Sequence, residues 1–290
     1  MSQTVELKYK PPKKKWTVGR VIWEVILFLM ICCAVVPVFW GVFLSVKTNP
    51  DIMLEPFKIP EVPRWDNYTR AFQSIPYGTM LKNTFFVLLG ALPLSVILCI
   101  MAAFAIGRMR IGRGRMQNAL YKYFIAGIIM PGYVMLFPIY MMSVKMNVYN
   151  SLWSLILPGM GCGTCMGVML LCANFRAIPI ELDEAAIIDG CGLPRLLIQV
   201  LVPVISPSIA TLTILNFLSI WNNFVTARVL INKPAQHVIS QAVMYFKGEF
   251  STDYALTMAG TMLLIIPQLI VFMSLQRYVV EGVTAGAVKA

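Results

Sequence analysis

Apolar residues fall in six long blocks separated by polar connections. Val25 to Val46, Thr84 to Ile106, Tyr123 to Val144, Ser151 to Ala173, Val204 to Phe224 and Ala255 to Gln276 each hold 21 to 23 residues with no Asp, Glu, Lys or Arg. A helix rises about 1.5 Å per residue, so each block spans roughly the 30 Å of a bilayer's hydrocarbon. The pattern predicts an all-α polytopic membrane protein with six transmembrane helices. A basic stretch precedes the first block, as in a secretory leader. Its 22 uncharged residues exceed the usual leader core of about 7 to 15, so it reads as a retained helix.

The connections assign an orientation. Lys8, Lys10, Lys13, Lys14, Lys15 and Arg20 precede the first block; Arg108, Arg110, Arg113, Arg115 and Lys122 lie in the second connection. Arg176 and Arg195 in the fourth, with Arg277 and Lys289 at the end, bring this side to fifteen basic residues, against nine in the longer connections opposite. The positive-inside rule then predicts cytoplasmic N- and C-termini. The implied organisation is a basic tail over 1–20, a membrane domain over 21–278 and a C-terminal tail over 279–290. Glu24 falls at the predicted cytoplasmic edge, within reach of water. The outer connections, Lys47 to Asn83 and Val225 to Tyr254, are longer than structureless loops usually are. In the first, Pro50, Pro56, Pro60 and Pro63 are followed by Trp65, Tyr68 and Phe72, which predicts an extended arm and then a short amphipathic helix.

Composition fits a bilayer: 58% of residues are apolar, 13% are charged and the mean hydropathy is +0.74. The formal net charge of +11 is accounted for by topology and contact with anionic headgroups, so no nucleic-acid partner is expected. His237 is the single histidine. It excludes an imidazole metal cluster and reads as a solvated loop residue. The odd count of seven cysteines lies mostly in apolar runs, and Cys162 and Cys165 form a C-x-x-C among glycines and methionines. No basic neighbour lowers a thiol pKa there, so these residues read as small packing groups and no metal is expected. No G-x-x-x-x-G-K-[ST] occurs; ATP-driven transport would therefore need a nucleotide-binding partner.

The fourth connection, about 177–203, carries the most specific pattern. Pro179 precedes Glu181, Asp183 and Glu184, the charge favoured at a helix N-terminus, and Gly190 and Gly192 supply a stop. A helix of two to three turns follows, then a second from about Leu193 that turns into the bilayer at Pro203. Leu182, Ala185, Ala186 and Cys191 give the first helix a shallow apolar face, and Glu184 and Asp189 give it charge, a form suited to a groove on another protein. Read from the residues alone, Glu184 is equally a solvated carboxylate worth about 0.3 to 1 kcal/mol through the helix dipole.

Glu184, Ala185, Ala186, then Gly190, and after nine residues Val200, Val202 and Pro203, resemble the E-A-A-x3-G-x9-I-x-L-P signature of permease subunits in binding-protein-dependent ABC importers. Val200 and Val202 depart conservatively from the usual Ile and Leu. The C-terminus QRYVVEGVTAGAVKA is similar to the ending of sugar permeases of the kind that supplies the second, six-span subunit of the maltose transporter. Trp65, Asn67, Tyr68, Ala71 and Phe72, and the stretch FLSIWNNFVTARVLI from Phe217 with its W-N-x-F, resemble the same group.

The resemblance implies a type I ABC importer permease fold in a prokaryotic inner membrane. It implies three protein partners: a second homologous permease, an ABC ATPase dimer that binds ATP and Mg, and an extracytoplasmic sugar-binding protein. In it the E-A-A loop is a coupling helix, with Glu184, Ala185, Ala186, Asp189, Gly190 and Pro203 at the ATPase contact. The tail residues Gly282, Thr284, Ala285 and Gly286 reach the ATPase as well. A permease of the same superfamily for peptides, polyamines or phosphate is the alternative, and the tail speaks for sugar. No span carries the carboxylate pair or Ser/His couple of an embedded enzyme.

A hydroxyl-rich solute needs hydrogen-bond partners and aromatic faces at mid-depth. Asn216, Ser219 and Asn223, on one broad face of the fifth block near Thr213, are candidates. So are Tyr133, Phe137 and Tyr140, an aromatic stripe beside Pro131 and Pro138 in the third. Helix packing explains either set as well.

Overall fold

The computed structural model describes residues 18–109, 114–161, 163–246 and 253–287. The basic residues expected before position 17, together with Arg110, Arg113, Cys162 and Lys289, lie outside the described residues. Among those described there is no strand.

Each apolar block became helical, and the exceptions are instructive. The first helix, α1 (Val18–Ser45), starts about two turns before the first block, and there Arg20 Nε meets Glu24 Oε1 at 2.9 Å. Two short helices of the expected arm follow, α2 (Asn49–Leu54) and α3 (Asp66–Ser74). Asn67 fastens α3 to the end of α1 by donating to the Ser45 and Lys47 carbonyls, both at 2.9 Å. The second span is α4 (Tyr77–Gly107), 31 residues long, or roughly 46 Å. Pro37 in α1 and Pro93 in α4 sit inside these helices. Membrane helices accommodate proline because neighbouring groups satisfy the carbonyl it frees.

The third span is not one straight helix. α5 (Arg115–Ile129) and the segment Gly132–Lys145, which contains α6 (Leu136–Lys145), meet at 95°. Pro131 forces this: its ring drives Met130 out of the helical region, to φ −70° and ψ 121°, and it has no N–H to continue the ladder. The fourth span divides into α7 (Trp153–Met160) and α8 (Thr164–Ala177) at Gly161 to Gly163. Gly163 has φ +65°, and a Cβ on it would collide with the Asn216 side chain. Both left-handed backbone and close approach therefore require glycine there.

Next come α9 (Glu181–Ile188), then α10 (Leu193–Arg195) and α11 (Val202–Val204) joined by a π-helical turn. The stretch Leu193–Val204 meets the fifth span, α12 (Ser206–Trp221), at 82°, which is the turn into the membrane expected near Pro203. α13 (Phe224–Leu230) and two 3₁₀ turns make the connection to α14. α14 (Tyr254–Ala287) outruns the sixth block: it continues as helix through the positions expected to form a separate tail from 279. With each bent pair taken as one span, the described residues hold up to six segments long and apolar enough to cross a membrane.

α4 is the centre of the bundle, packed against α7, α8, α12 and α5. At one end it shares a core with α8 and the segment after α9, built from Phe104, Phe175, Leu196 and Ile205. At the other, Met80 and Leu88 join Trp221 and Phe246. Here the first and last long connections are tied across the sequence. Asn83 donates to the Ala235 and His237 carbonyls, Thr84 Oγ1 accepts from the Ile239 amide, and Asn49 Oδ1 accepts from the Ala255 amide. By contrast only 6% of the most apolar window of α1 is buried, and α1 packs chiefly on α14, where Gly41 receives the Met262 side chain.

Small residues set the helix spacing, as they do where lipid provides no hydrophobic drive between helices. A Cβ at Gly167 in α8 would stand 2.7 Å from Leu212 and 2.8 Å from the Cys99 sulfur. Gly127 in α5 likewise admits the Cys165 sulfur, so that cysteine packs two helices together. Gly167→Val is expected to cost about 1–3 kcal/mol by overpacking and to lower the melting temperature in detergent. Gly78→Ala, with nothing within 4 Å of its Cβ, is expected to leave it unchanged.

Candidate functional site

The segment singled out by sequence is a helix held at one end of the bundle. The chain leaves α8 at Ala177, and Ile180 accepts from the amides of Asp183 and Glu184 to start α9. Its end is a complete Schellman motif: Cys191 N–H bonds to Ala186 O, Gly190 N–H to Ile187 O, and Gly190 has φ +80°. Space around Gly190 is open, so it is the positive φ that calls for glycine. Ala186 and Cys191 complete the motif's apolar contact and pack on the bundle core. They therefore face inward, whereas the sequence had them on one outward face with Leu182 and Ala185.

The outward face keeps Leu182 and Ala185 and adds other residues. Ile180, Glu184, Ile187 and Ile188, at i, i+4, i+7 and i+8, are all exposed, Ile188 by 85%. Ala185, Asp189 and Pro203 are exposed too. Glu184 is thus the carboxylate of an apolar stripe that projects from the protein.

What fastens α9 is a pair of residues not singled out by the sequence. Arg108, immediately after α4, donates from Nη2 to Asp183 Oδ1 at 2.7 Å and to Pro179 O at 3.1 Å, and from Nη1 to Ile178 O at 2.8 Å. The two side chains are only 7% and 10% exposed. Removing one partner of such a buried pair costs about 3–5 kcal/mol. In the sequence Arg108 was one of five basic residues in a connection and Asp183 one of three acids in a helical turn. Nothing in either run marked the member that turns inward.

The transmembrane candidates separate. A cavity of about 410 Å³ lies between α4, the Gly132–Met135 turn, α7, α12 and α13; Thr84, Trp221, Asn223 and Thr226 are among its lining residues. Asn223 has left α12 and caps α13, accepting from the Thr226 amide at 3.3 Å. Asn216 lies elsewhere, buried between helices and donating to Ser95 Oγ at 2.9 Å. Ser219 is exposed. The aromatic stripe lies wholly beyond the break at Pro131 and turns away from the cavity: Tyr133 and Phe137 are 76% and 70% exposed, and Tyr140 packs edge-on against Tyr149. From that segment Gly132, Met135 and Ile139 reach the cavity instead. Gly282, Thr284, Ala285 and Gly286 fall in the last turns of α14.

His237 is not solvated as expected. It is 7% exposed, Nδ1 lies 2.9 Å from the Tyr245 hydroxyl, and Nε2 has no hydrogen-bond partner among the described residues.

Several apolar helices, two spans broken beside a cavity, and a short helix clamped to one end describe a multi-pass membrane protein. The family described as "Binding-protein-dependent transport system inner membrane component" matches residues 95–285, and the chain belongs to it. It is accordingly a membrane permease subunit of an ABC transporter. The sulfoquinovosyl glycerol transport system permease protein of Agrobacterium fabrum is 30% identical over 254 residues, covering 87% of this chain and 88% of that one. The diacetylchitobiose uptake system permease protein DasC of Streptomyces coelicolor is 29% identical over 281 residues, 95% of this chain and 99% of its own. A bacterial ABC transporter involved in the import of the acidic polysaccharide alginate, known from a crystal structure, matches with a TM-score of 0.74 at 20% identity. The match covers 92% of this chain and 100% of that one, and establishes the common fold.

Two outcomes test the local chemistry. Gly190→Val is expected to lower the yield of folded protein more than Gly190→Asn, because asparagine tolerates positive φ and valine does not; thermal melting of both variants checks it. Burial, then the nearby Arg228 charge, lower the His237 pKa below its usual 6.5. The neutral ring therefore contributes stability that is complete above pH 6.5 and is lost as pH falls through the lower folded value. Melting temperature should drop on acidification, and less steeply in His237→Gln.

Proposed function

We propose that this chain is one of two permeases of a sugar importer in a prokaryotic inner membrane, with both termini in the cytoplasm. The observation that carries the proposal is α9: a short helix locked to the bundle yet presenting Ile180, Glu184, Ile187 and Ile188 outward. Isoleucines held in water at a fixed angle suit a helix that sits in a cleft of another protein. In this reading α9 is the coupling helix, and Glu184 pairs with a basic residue of a separate ATPase dimer. Ala185 and Ala186 keep the helix slim, Asp189 flanks the contact, and Gly190 and Pro203 fix where the chain turns. The end of α14, with Gly282, Thr284, Ala285 and Gly286, adds a second ATPase contact. ATP and Mg bind to the ATPase, since the chain has no phosphate-binding loop of its own.

Closure of the ATPase dimer then displaces α9, and the bundle moves largely as a rigid body between inward-open and outward-open forms. An extracytoplasmic binding protein delivers solute to the opposite end, where the arm of α2 and α3 and the connection around α13 lie. The family's description as binding-protein-dependent supports that partner. Relatives named for sulfoquinovosyl glycerol and diacetylchitobiose support a sugar or oligosaccharide rather than a peptide, polyamine or phosphate. The cavity beside Asn223 combines hydrogen-bonding groups with Trp221 and apolar walls, a lining suited to a hydroxyl-rich solute in transit. Asn216, Ser219, Tyr133, Phe137 and Tyr140 are assigned to packing and to surfaces open to a partner.

The test is ATP hydrolysis by the reconstituted complex of both permeases, ATPase dimer and binding protein, scanning mono- to oligosaccharides. One sugar class is expected to stimulate turnover, and Glu184→Ala to lose most of that stimulation. Asn223→Ala is expected to raise the sugar concentration needed for half-maximal uptake. Assembly without stimulation by any sugar would overturn the carbohydrate assignment, and an unaffected Glu184→Ala would overturn the role of that carboxylate.

A further inference from the structure

A force applied to α9 has few ways into the membrane. Of its side chains only Asp183 is buried, and α9 reaches the bundle otherwise through Ala186 and, beyond the Gly190 turn, Cys191 and Leu196. On its N-terminal side the route passes through Pro179 and Ile178, and Arg108 grips both of those carbonyls along with Asp183. Arg108 belongs to a different span. It caps α4, with its own N–H bonded to Phe104 O at 2.9 Å. The same unbroken α4 carries Ser95, which holds Asn216, and then Thr84 and Val87, which line the 410 Å³ cavity. α5, α7 and α8, by contrast, end at breaks beside the Gly132 turn or Gly161 to Gly163. α12 also reaches the cavity, through Ile220 and Trp221, but follows α9 across the 82° bend; α4 runs unbroken from the clamped helix to the cavity, and Arg108 is its fastening.

We infer that Arg108 is a positioning residue for transport: through Asp183 and the Ile178 and Pro179 carbonyls it makes α4 move with α9, so that ATP-driven displacement reaches the cavity wall. The inference rests on the importer reading above. The guanidinium is suited to the task because its planar fork reaches three acceptors at once, and an ammonium concentrates its charge at one point. Carbonyl oxygens are fixed to the backbone, so the grip sets the direction of α9 as well as its distance. Positive-inside topology asks only for a basic residue in this connection and does not account for the three acceptors that Arg108 holds.

The experiment uses the full reconstituted complex with Arg108→Lys and Asp183→Asn, each conservative in size. Sugar taken up per ATP hydrolysed is compared with wild type, and hydrogen exchange of residues 178–188 is measured in the same complexes. The expected result is assembly, at a yield reduced by the weakened pair, with sugar uptake per ATP in the assembled complexes lower by about tenfold, and faster exchange over 178–188 in both variants. Unchanged uptake per ATP in assembled variants overturns the inference, and so does failure of both variants to assemble, which would make the clamp purely structural. If wild type itself responds to no sugar, the importer reading fails as to its solute, and the exchange measurement still decides whether Arg108 holds α9. Unchanged exchange then overturns the inference independently.

Discussion

A hydrocarbon solvent leaves the backbone with no partner but itself, and this protein is organised around where that requirement is relaxed. α4 comes nearest to keeping it, as a 31-residue helix without a break whose exception is the carbonyl freed by Pro93. The third and fourth spans relax it at Pro131 and at Gly161 to Gly163, in positions that line the cavities between helices. Irregular backbone at membrane depth is tolerated only where protein or a polar cavity covers it. The breaks and the cavity thus lie together, with Gly132 and Gly161 of the two broken spans in the cavity wall. Asn216 completes the arrangement by occupying the room that Gly163 leaves.

The opposite end of the bundle solves a different problem, attaching a polar helix to an apolar body. Apolar contact does part of it through Ala186, Cys191 and Leu196, but such contacts slide. The Arg108 clamp adds direction, at the expense of desolvating two charges. Buried pairs of this kind are weak evidence of added stability, because a well-packed apolar pair is often as good. Their value here is geometric, since a fork bonded to two carbonyls and one carboxylate holds a single orientation. Glu184, one residue along from Asp183, points the other way, so neighbouring acids face a clamp on one side and open water on the other.

The six spans were legible because membrane insertion selects on length and charge, which a chain displays directly. The helix of α9 was legible for the same reason, with Pro179 and three acids at its start and Gly190 at its end. The breaks were legible only in part: Pro131 and the glycines were visible, but a proline in a span can kink, bend or be absorbed, as Pro37 and Pro93 are. The site residues were harder. The period of a helix places Asn216 and Asn223 on related faces, yet α12 ends at Trp221, so Asn223 leaves that face and reaches the cavity while Asn216 is spent on Ser95. Arg108 and Asp183 lie 75 positions apart, and no local pattern connects them. His237 looked solvated because its neighbours in the chain are polar, and it is buried because Tyr245 and the end of α4 fold over it.

The hydrogen bond between Asn49 and Ala255 joins residues 206 positions apart, and it has a consequence for how the protein is made. A ribosome adding about 5 to 20 residues per second needs roughly ten to forty seconds between the two. Over that interval Asn49, Asn83 and Thr84 have already emerged while their acceptors and donors near His237 and Ala255 are still unmade. The first connection therefore spends its early life bonded to water, and the bundle closes at that end only once the final helix arrives. The last span to be synthesised is the one that finishes the first.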